Sequence, residues 1–146
     1  MEHGLQITVE AQPNPADMHV IVGGLTAYNA LHAGGDTPRY FLITLRDQEG
    51  QVVGGLMGAV YLGWTQVSAL WMPEAMRGQG LGSALMARAE GLARERGCPR
   101  MFLETLSFQA LPFYEKLGYQ VVSRIDGFPP GGARYALTKI LAAQPD

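Results

Sequence analysis

The chain has 146 residues, 47% apolar and 16% charged, an apolar share that fills a core and excludes a mainly disordered chain. Its 11 basic and 13 acidic residues leave a formal charge of −2, which argues against a nucleic-acid binder that works by neutralising phosphates. The single cysteine, Cys98, excludes an intrachain disulfide and a thiolate metal cluster, and no apolar run has the length of a membrane helix or the layout of a signal peptide.

One compact domain spanning 1–146 is therefore expected, cytoplasmic and without a membrane or nucleic-acid partner. The charge is uneven. Residues 1–50 carry two arginines and six carboxylates, whereas 51–100 carry five arginines and three carboxylates. An anion site is expected in that middle third.

In chain order, Leu5 to Glu10 alternates weakly and suggests an opening strand. Asn14-Pro15 has the form of an N-cap followed by proline at the first helical position. Met18, Ile21, Val22, Leu25 and Tyr28 then recur at helical spacing, with Gly23-Gly24 expected to kink or split the helix and Gly34-Gly35 to end it. Tyr40 to Arg46, a turn at Asp47 to Gly50, and Val52 to Leu62 form a hairpin signature. Its Gly54-Gly55 pair points to a bulge or a close backbone approach. Thr65 to Met72 is a further strand.

Leu81 to Arg96 is the clearest helix, with Leu81, Leu85, Ala89 and Leu92 on one face and Gly97 as its stop. Glu90 and Arg94, four apart, are expected to pair on its exposed side. Arg100 to Thr105 is a strand, Leu111 to Leu117 a short helix, and Tyr119 to Ile125 and Ala133 to Leu141 the last two strands. Hairpins and crossovers together predict an α/β protein with a mixed sheet flanked by helices.

The segment that carries chemistry is Arg77-Gly78-Gln79-Gly80-Leu81-Gly82-Ser83, between a strand and the best helix. Its glycines remove side chains that would keep a ligand from the backbone. Its amides converge on a helix N-terminus, where unpaired N–H groups and the helix dipole favour an anion. Arg77 adds charge at the lip, so a phosphate or pyrophosphate is the expected guest. A Walker loop would require lysine after the last glycine, and a dinucleotide fingerprint would place its third glycine at 83, which is serine. A turn that only leads tightly into a helix is the bland alternative.

The Arg-x-x-Gly-x-Gly spacing at the start of a long helix, after a strand ending in Leu70-Trp71-Met72, resembles the acyl-CoA-binding turn of the GNAT acyltransferase superfamily. Downstream, Phe113-Tyr114-Glu115-Lys116-Leu117-Gly118-Tyr119 resembles that family's C-terminal signature. The two motifs and the elements between them cover about 65–141. The sequence departs from the family pattern in two places. Ser107 stands where asparagine is common, seven residues before the signature tyrosine, and Glu74 stands where proline is common before the arginine.

The resemblance implies a mostly antiparallel sheet in which two parallel strands splay to hold acetyl-CoA as co-substrate. The backbones of Leu70 and Met72 would bond its pantetheine arm, the amides from Arg77, Gly78, Gln79, Gly80, Leu81, Gly82 and Ser83 its pyrophosphate, and Ser107 would make a weaker pantetheine contact. It further implies direct attack on the thioester by a primary amine, with Tyr114 as general acid to the departing thiolate, and a homodimer. The plain alternative for Tyr114 is a tyrosine that fills the core, the role expected of Tyr119.

Glu104 is a weak candidate base, since a carboxylate there is as readily tied to an arginine. The three histidines are scattered, so no metal is expected. The acceptor, a small amine or a protein N-terminus, is expected between the helix near 18–33 and the stiff Phe128-Pro129-Pro130-Gly131-Gly132 segment, with Tyr61, Trp64 and Trp71 as possible walls. The acidic first third favours a cationic acceptor by steering. Two other readings are an acyl-CoA-binding module without catalysis and a nucleotide-dependent enzyme.

Overall fold

The computed structural model describes residues 4–142, which divide into two units, one up to Thr37 and one from Pro38 onward. In the first unit, Leu5 to Glu10 forms no strand. Three alternating apolar residues become a strand only where a neighbour supplies a ladder. Helix α1 (Pro15–His32) follows. The Asn14 side chain accepts from the Ala16 amide at 2.9 Å, and Pro15 supplies the first helical residue. Gly23-Gly24 does not split this helix, because two glycines weaken a ladder without removing any of its donors. Bonds from the Ala33 and Gly35 amides to the Ala30 carbonyl close it.

The second unit contains β1 (Arg39–Arg46), β2 (Val52–Tyr61), β3 (Trp64–Trp71), α2 (Leu81–Glu95), β4 (Arg100–Leu106), α3 (Leu111–Lys116), β5 (Gln120–Asp126) and β6 (Ala133–Ile140). The strands form one six-stranded sheet in the order β1-β2-β3-β4-β6-β5. Every neighbouring pair is antiparallel except β3 and β4, which run parallel. At the β1–β2 turn the Asp47 carboxylate accepts from the amides of Glu49 and Gln51, which fixes the hairpin.

Helix α2 lays Leu85, Met86, Ala89 and Ala93 against Leu56, Val67, Met101, Leu103 and Leu137 of the sheet. Each large side chain fully buried there is worth about 1.5–3 kcal/mol. The buried stripe also takes in Glu90, so the expected surface pair with Arg94 does not form. Glu90 is instead 8% exposed and bonds to Lys139 and Tyr119, while Arg94 donates to the Ala142 carbonyl. Charge spacing along a helix shows which residues are neighbours, not which face is covered.

Two irregularities shape the sheet. At Gly54 and Gly55 the chains approach so closely that a Cβ would meet the carbonyls of Trp71 and Ile43. Between β2 and β3 the register shifts, with Met57 opposite Ala69 but Gly58 opposite Val67, so Ser68 is an extra residue in β3. A Cβ on Gly58 would collide with the Gln66 carbonyl, which makes glycine necessary at this crossing. A bulge of this kind bends the strand that carries it. Pairing of β3 with β4 ends at the same level: Thr65, Gln66 and Val67 face Met101, Phe102 and Leu103, and beyond them the strands part.

Candidate active site

The parting of β3 and β4 opens a cavity of about 670 Å³. Its walls are Ser68 to Met72 of β3 and the residue after it, Leu103, Glu104 and Thr105 of β4, the segment from Phe108 to Tyr114 through Phe108, Gln109, Phe113 and Tyr114, and the turn through Arg77, Gly78 and Gly82. The strands that would otherwise share a ladder here leave backbone polar groups facing the gap. A ligand arm can take up those hydrogen bonds in place of the missing strand partner.

At the turn, a single 3₁₀ turn over Glu74–Met76 delivers the chain to Arg77. Gly78 and Gly80 have φ of +76° and +80°, a region that other L residues enter at a cost, and a Cβ on either would meet nothing within 4 Å. Gly80 is the N-cap of α2 and makes no side-chain cap bond; the first bond of the helix runs from the Ala84 amide to the Gly80 carbonyl at 3.0 Å. The amides of Leu81, Gly82 and Ser83 therefore have no acceptor within the helix. Gly82 serves packing, because a Cβ there would lie 3.2 Å from the Phe113 ring.

The Arg77 Nε donates to the Met72 carbonyl at 3.2 Å, tying the end of β3 to the turn. Of the residues read from the sequence as cofactor-binding, Leu70, Met72, Arg77, Gly78 and Gly82 line the cavity. Gln79, Gly80, Leu81 and Ser83 belong to the adjoining turn. Ser107 is placed differently. Its hydroxyl accepts from the Ala133 amide at 3.0 Å, its own amide donates to the Ala133 carbonyl, and it does not line the cavity. This serine anchors the entry to β6.

Tyr114 lines the cavity on the first turn and a half of α3. Its ring meets Phe113 and Tyr119 edge-on, at centroid distances of 5.0 and 6.0 Å. Burial pushes its phenol above the ordinary value near 10, so it holds its proton through the neutral range. Tyr119 lies behind it, 2% exposed, with its hydroxyl donating to Glu90 at 3.2 Å. Tyr119 does fill the core, as expected, and it also props Tyr114.

Alternation along the strands divides the cavity into two faces. Leu103 and Thr105 point to the α2 side with the core, and Glu104 to the opposite side. On β3 the extra residue at Ser68 shifts the phase, so that Leu70 and Met72 face the core and Trp71 faces away with Glu104. The Arg134 Nε donates to Glu104 Oε2 at 2.7 Å, with its guanidinium over the Phe128 ring at 4.8 Å. That bond holds the Glu104 carboxyl below the usual carboxylate range, against the opposing pull of partial burial.

The segment from Phe128 to Gly132 thus reaches the cavity through Arg134, not as a wall of its own. Trp71 lines the site, whereas Tyr61 and Trp64 do not; Trp64 stacks under Arg100. Reading the sequence did not single out Phe108 or Gln109. Gln109 accepts from the Leu106 amide and from the Thr105 hydroxyl, fixing the corner into α3. Phe108 is 71% exposed, and an aromatic between the polar residues Ser107 and Gln109 was the available signal.

The model of the acetyltransferase (GNAT) family matches residues 12–119, and the chain belongs to that family. It is 39% identical over 107 residues to an acetyltransferase of Agrobacterium fabrum, covering 73% of this chain and 78% of that one. It is 44% identical over 95 residues to the blasticidin-S acetyltransferase of Streptomyces morookaense, covering 64% and 70%. A crystal structure from Agrobacterium tumefaciens assigned to an acetyltransferase superposes with a TM-score of 0.86 at 33% identity, covering 92% of this chain and 98% of that chain. The protein is an N-acetyltransferase that uses acetyl-CoA.

Proposed function

We propose that the protein acetylates a primary amine of a small molecule by direct attack on acetyl-CoA bound between β3 and β4, with Tyr114 as the general acid. The observation that supports this reading is that Tyr114 lines the cavity where β3 and β4 part, with burial raising its phenol above the ordinary value. The residues present suit acetyl-CoA. Backbone groups of Leu70 and Met72 flank the gap, the amides of Leu81 to Ser83 await an anion, and open space surrounds Gly78 and Gly80. Acetyl-CoA supplies the activated acetyl group as a thioester.

In the transfer, the amine nitrogen bonds to the carbonyl carbon as the carbon–sulfur bond breaks. The proton lost by the nitrogen leaves to water, and the sulfur takes a proton from the Tyr114 hydroxyl, which regains one from solvent. The products are an amide and free thiol. Cys98 has no part in this. It lies at the end of α2, where its carbonyl accepts from Thr65.

The turn amides, with Arg77 at their edge, fit the pyrophosphate by the helix-terminus physics described above. Ser107, committed to Ala133, is left out of the cofactor contacts. Because one relative acts on blasticidin S, that compound belongs in the acceptor panel beside simple amines.

The test is thiol release by wild type and Tyr114→Phe with the best acceptor. The substitution keeps the ring against Phe113 and Tyr119, so the fold and acetyl-CoA affinity should persist. Turnover should fall by roughly 10²–10⁴-fold, mostly in kcat, the range for a positioned acid whose interaction grows only as charge develops. Equal kcat in the two proteins, with chemistry rate-limiting, would leave Tyr114 a core residue.

A further inference from the structure

The face of the cavity turned away from α2 has a chemistry of its own. The charged side chains that line the cavity are Arg77, at the turn, and Glu104, on that far face. Two exposed aromatics line the same cavity as Glu104, Trp71 on β3 and Phe108 after β4, exposed by 60% and 71%. Large aromatics left in water at the mouth of a cavity usually mark a ligand surface.

The Glu104 carboxylate is only half used. Arg134 donates to Oε2 from one side, and no protein donor among the described residues reaches Oε1. Arg134 in turn is held over the Phe128 ring, so the carboxylate is both kept ionised and fixed in direction. An ionised carboxylate with a free oxygen in a cavity that two exposed rings also line suits an ammonium or guanidinium group, by a charge-assisted hydrogen bond and by attraction to the ring faces.

We propose that Glu104, positioned by Arg134 in a cavity also lined by Trp71 and Phe108, anchors a second positive charge on the acceptor, so that preferred substrates are amines carrying another cationic group. This rests on the acetyl-transfer reading and deepens it. The reacting amine must lose its proton to attack, whereas the anchored group keeps its charge. Glu104 is therefore a specificity-determining residue and not the base. The pairing with Arg134, which makes the carboxylate a poorer proton acceptor, fits that division of labour.

The test compares kcat/KM for a diaminoalkane, the monoamine of the same length and the corresponding ω-amino carboxylate. Wild type should prefer the diamine over the monoamine by tenfold or more and should use the amino carboxylate least. In Glu104→Gln the diamine-to-monoamine ratio should fall by about tenfold, chiefly through the diamine KM, while acetyl-CoA still raises Tm. In Glu104→Asp part of the preference should return.

A wild type that favours the monoamine or the amino carboxylate would overturn the proposal, as would an unchanged ratio in Glu104→Gln. Turnover of the monoamine by wild type, with no preference for the diamine, would count against the anchor alone. No thiol release with any amine and no Tm rise with acetyl-CoA would instead defeat the acetyl-transfer reading on which it rests.

Discussion

Removing Glu90 should destabilise the protein by about 3 kcal/mol, a size set by what surrounds it. Its carboxylate accepts from Lys139 Nζ at 2.8 and 3.3 Å and from the Tyr119 hydroxyl at 3.2 Å. Glu90→Ala strands the Tyr119 hydroxyl, on a residue 2% exposed, and an unpartnered buried donor costs about 1–3 kcal/mol. It also leaves Lys139 without its counter-charge. Breaking a fully buried pair costs about 3–5 kcal/mol, but the Lys139 side chain is 27% exposed and can swing its ammonium to water, so only part of that applies.

About 3 kcal/mol corresponds to a fall in Tm of roughly 6–12 °C for a chain of this length. Glu90→Gln keeps the volume and an acceptor for Tyr119, so it should lose about half as much. The combined Glu90→Leu, Lys139→Met, Tyr119→Phe protein removes every partner at once and should recover most of the loss, as apolar replacements of buried pairs commonly do. Urea unfolding followed by far-UV circular dichroism measures all three. The reasoning fails if Glu90→Ala lies within about 0.5 kcal/mol of wild type, or if the triple variant is no more stable than the single one.

Acetyl-CoA should raise Tm by mass action, and Gly80→Asp should abolish that rise by placing a side chain and a negative charge at the N-terminus of α2, the proposed pyrophosphate site. A folded Gly80→Asp protein with an unaltered shift would remove the turn from the site. Tyr119 carries a pH prediction. Burial first, and Glu90 beside it, raise its phenol above the unfolded value near 10, so its contribution is whole below pH 10 and is lost as pH rises beyond it. Tm scans from pH 8 to 11 should show stability falling at the alkaline end, less steeply in Tyr119→Phe; parallel curves would refute this.

Much of the second unit was legible from periodicity and turn chemistry. The strands and helices from Tyr40 to Leu141 fall within a residue or two of their expected bounds, because alternation, the Asp47 turn and Gly97 are local signals. The glycine turn was legible for the same reason, since backbone conformation at Gly78 and Gly80 is written in residue type. The same locality explains why the stretch before residue 38 was less legible. Neither the weak alternation after Leu5 nor the Gly23-Gly24 pair reveals whether a neighbour completes a ladder or whether a helix tolerates the weakness.

What only the tertiary structure decided is which atoms face one another across distant segments. Glu90 and Arg94 satisfy helix pairing on paper, yet β6 brings Lys139 and the start of β5 brings Tyr119 to the buried side, and Arg94 turns to Ala142. Ser107 stands where the sequence suggested a ligand contact, and the return of the chain at Ala133 gives its hydroxyl oxygen an amide to accept from. Glu104 could have been a base or a tied carboxylate, and Arg134, 30 residues later, makes it the latter while leaving one oxygen free. The extra residue at Ser68 turns Trp71 to the face of Glu104 and opens β3 from β4. Spacing in sequence sets local conformation, whereas the partner of a polar group depends on which remote strand folds beside it, and that is settled only when the sheet closes.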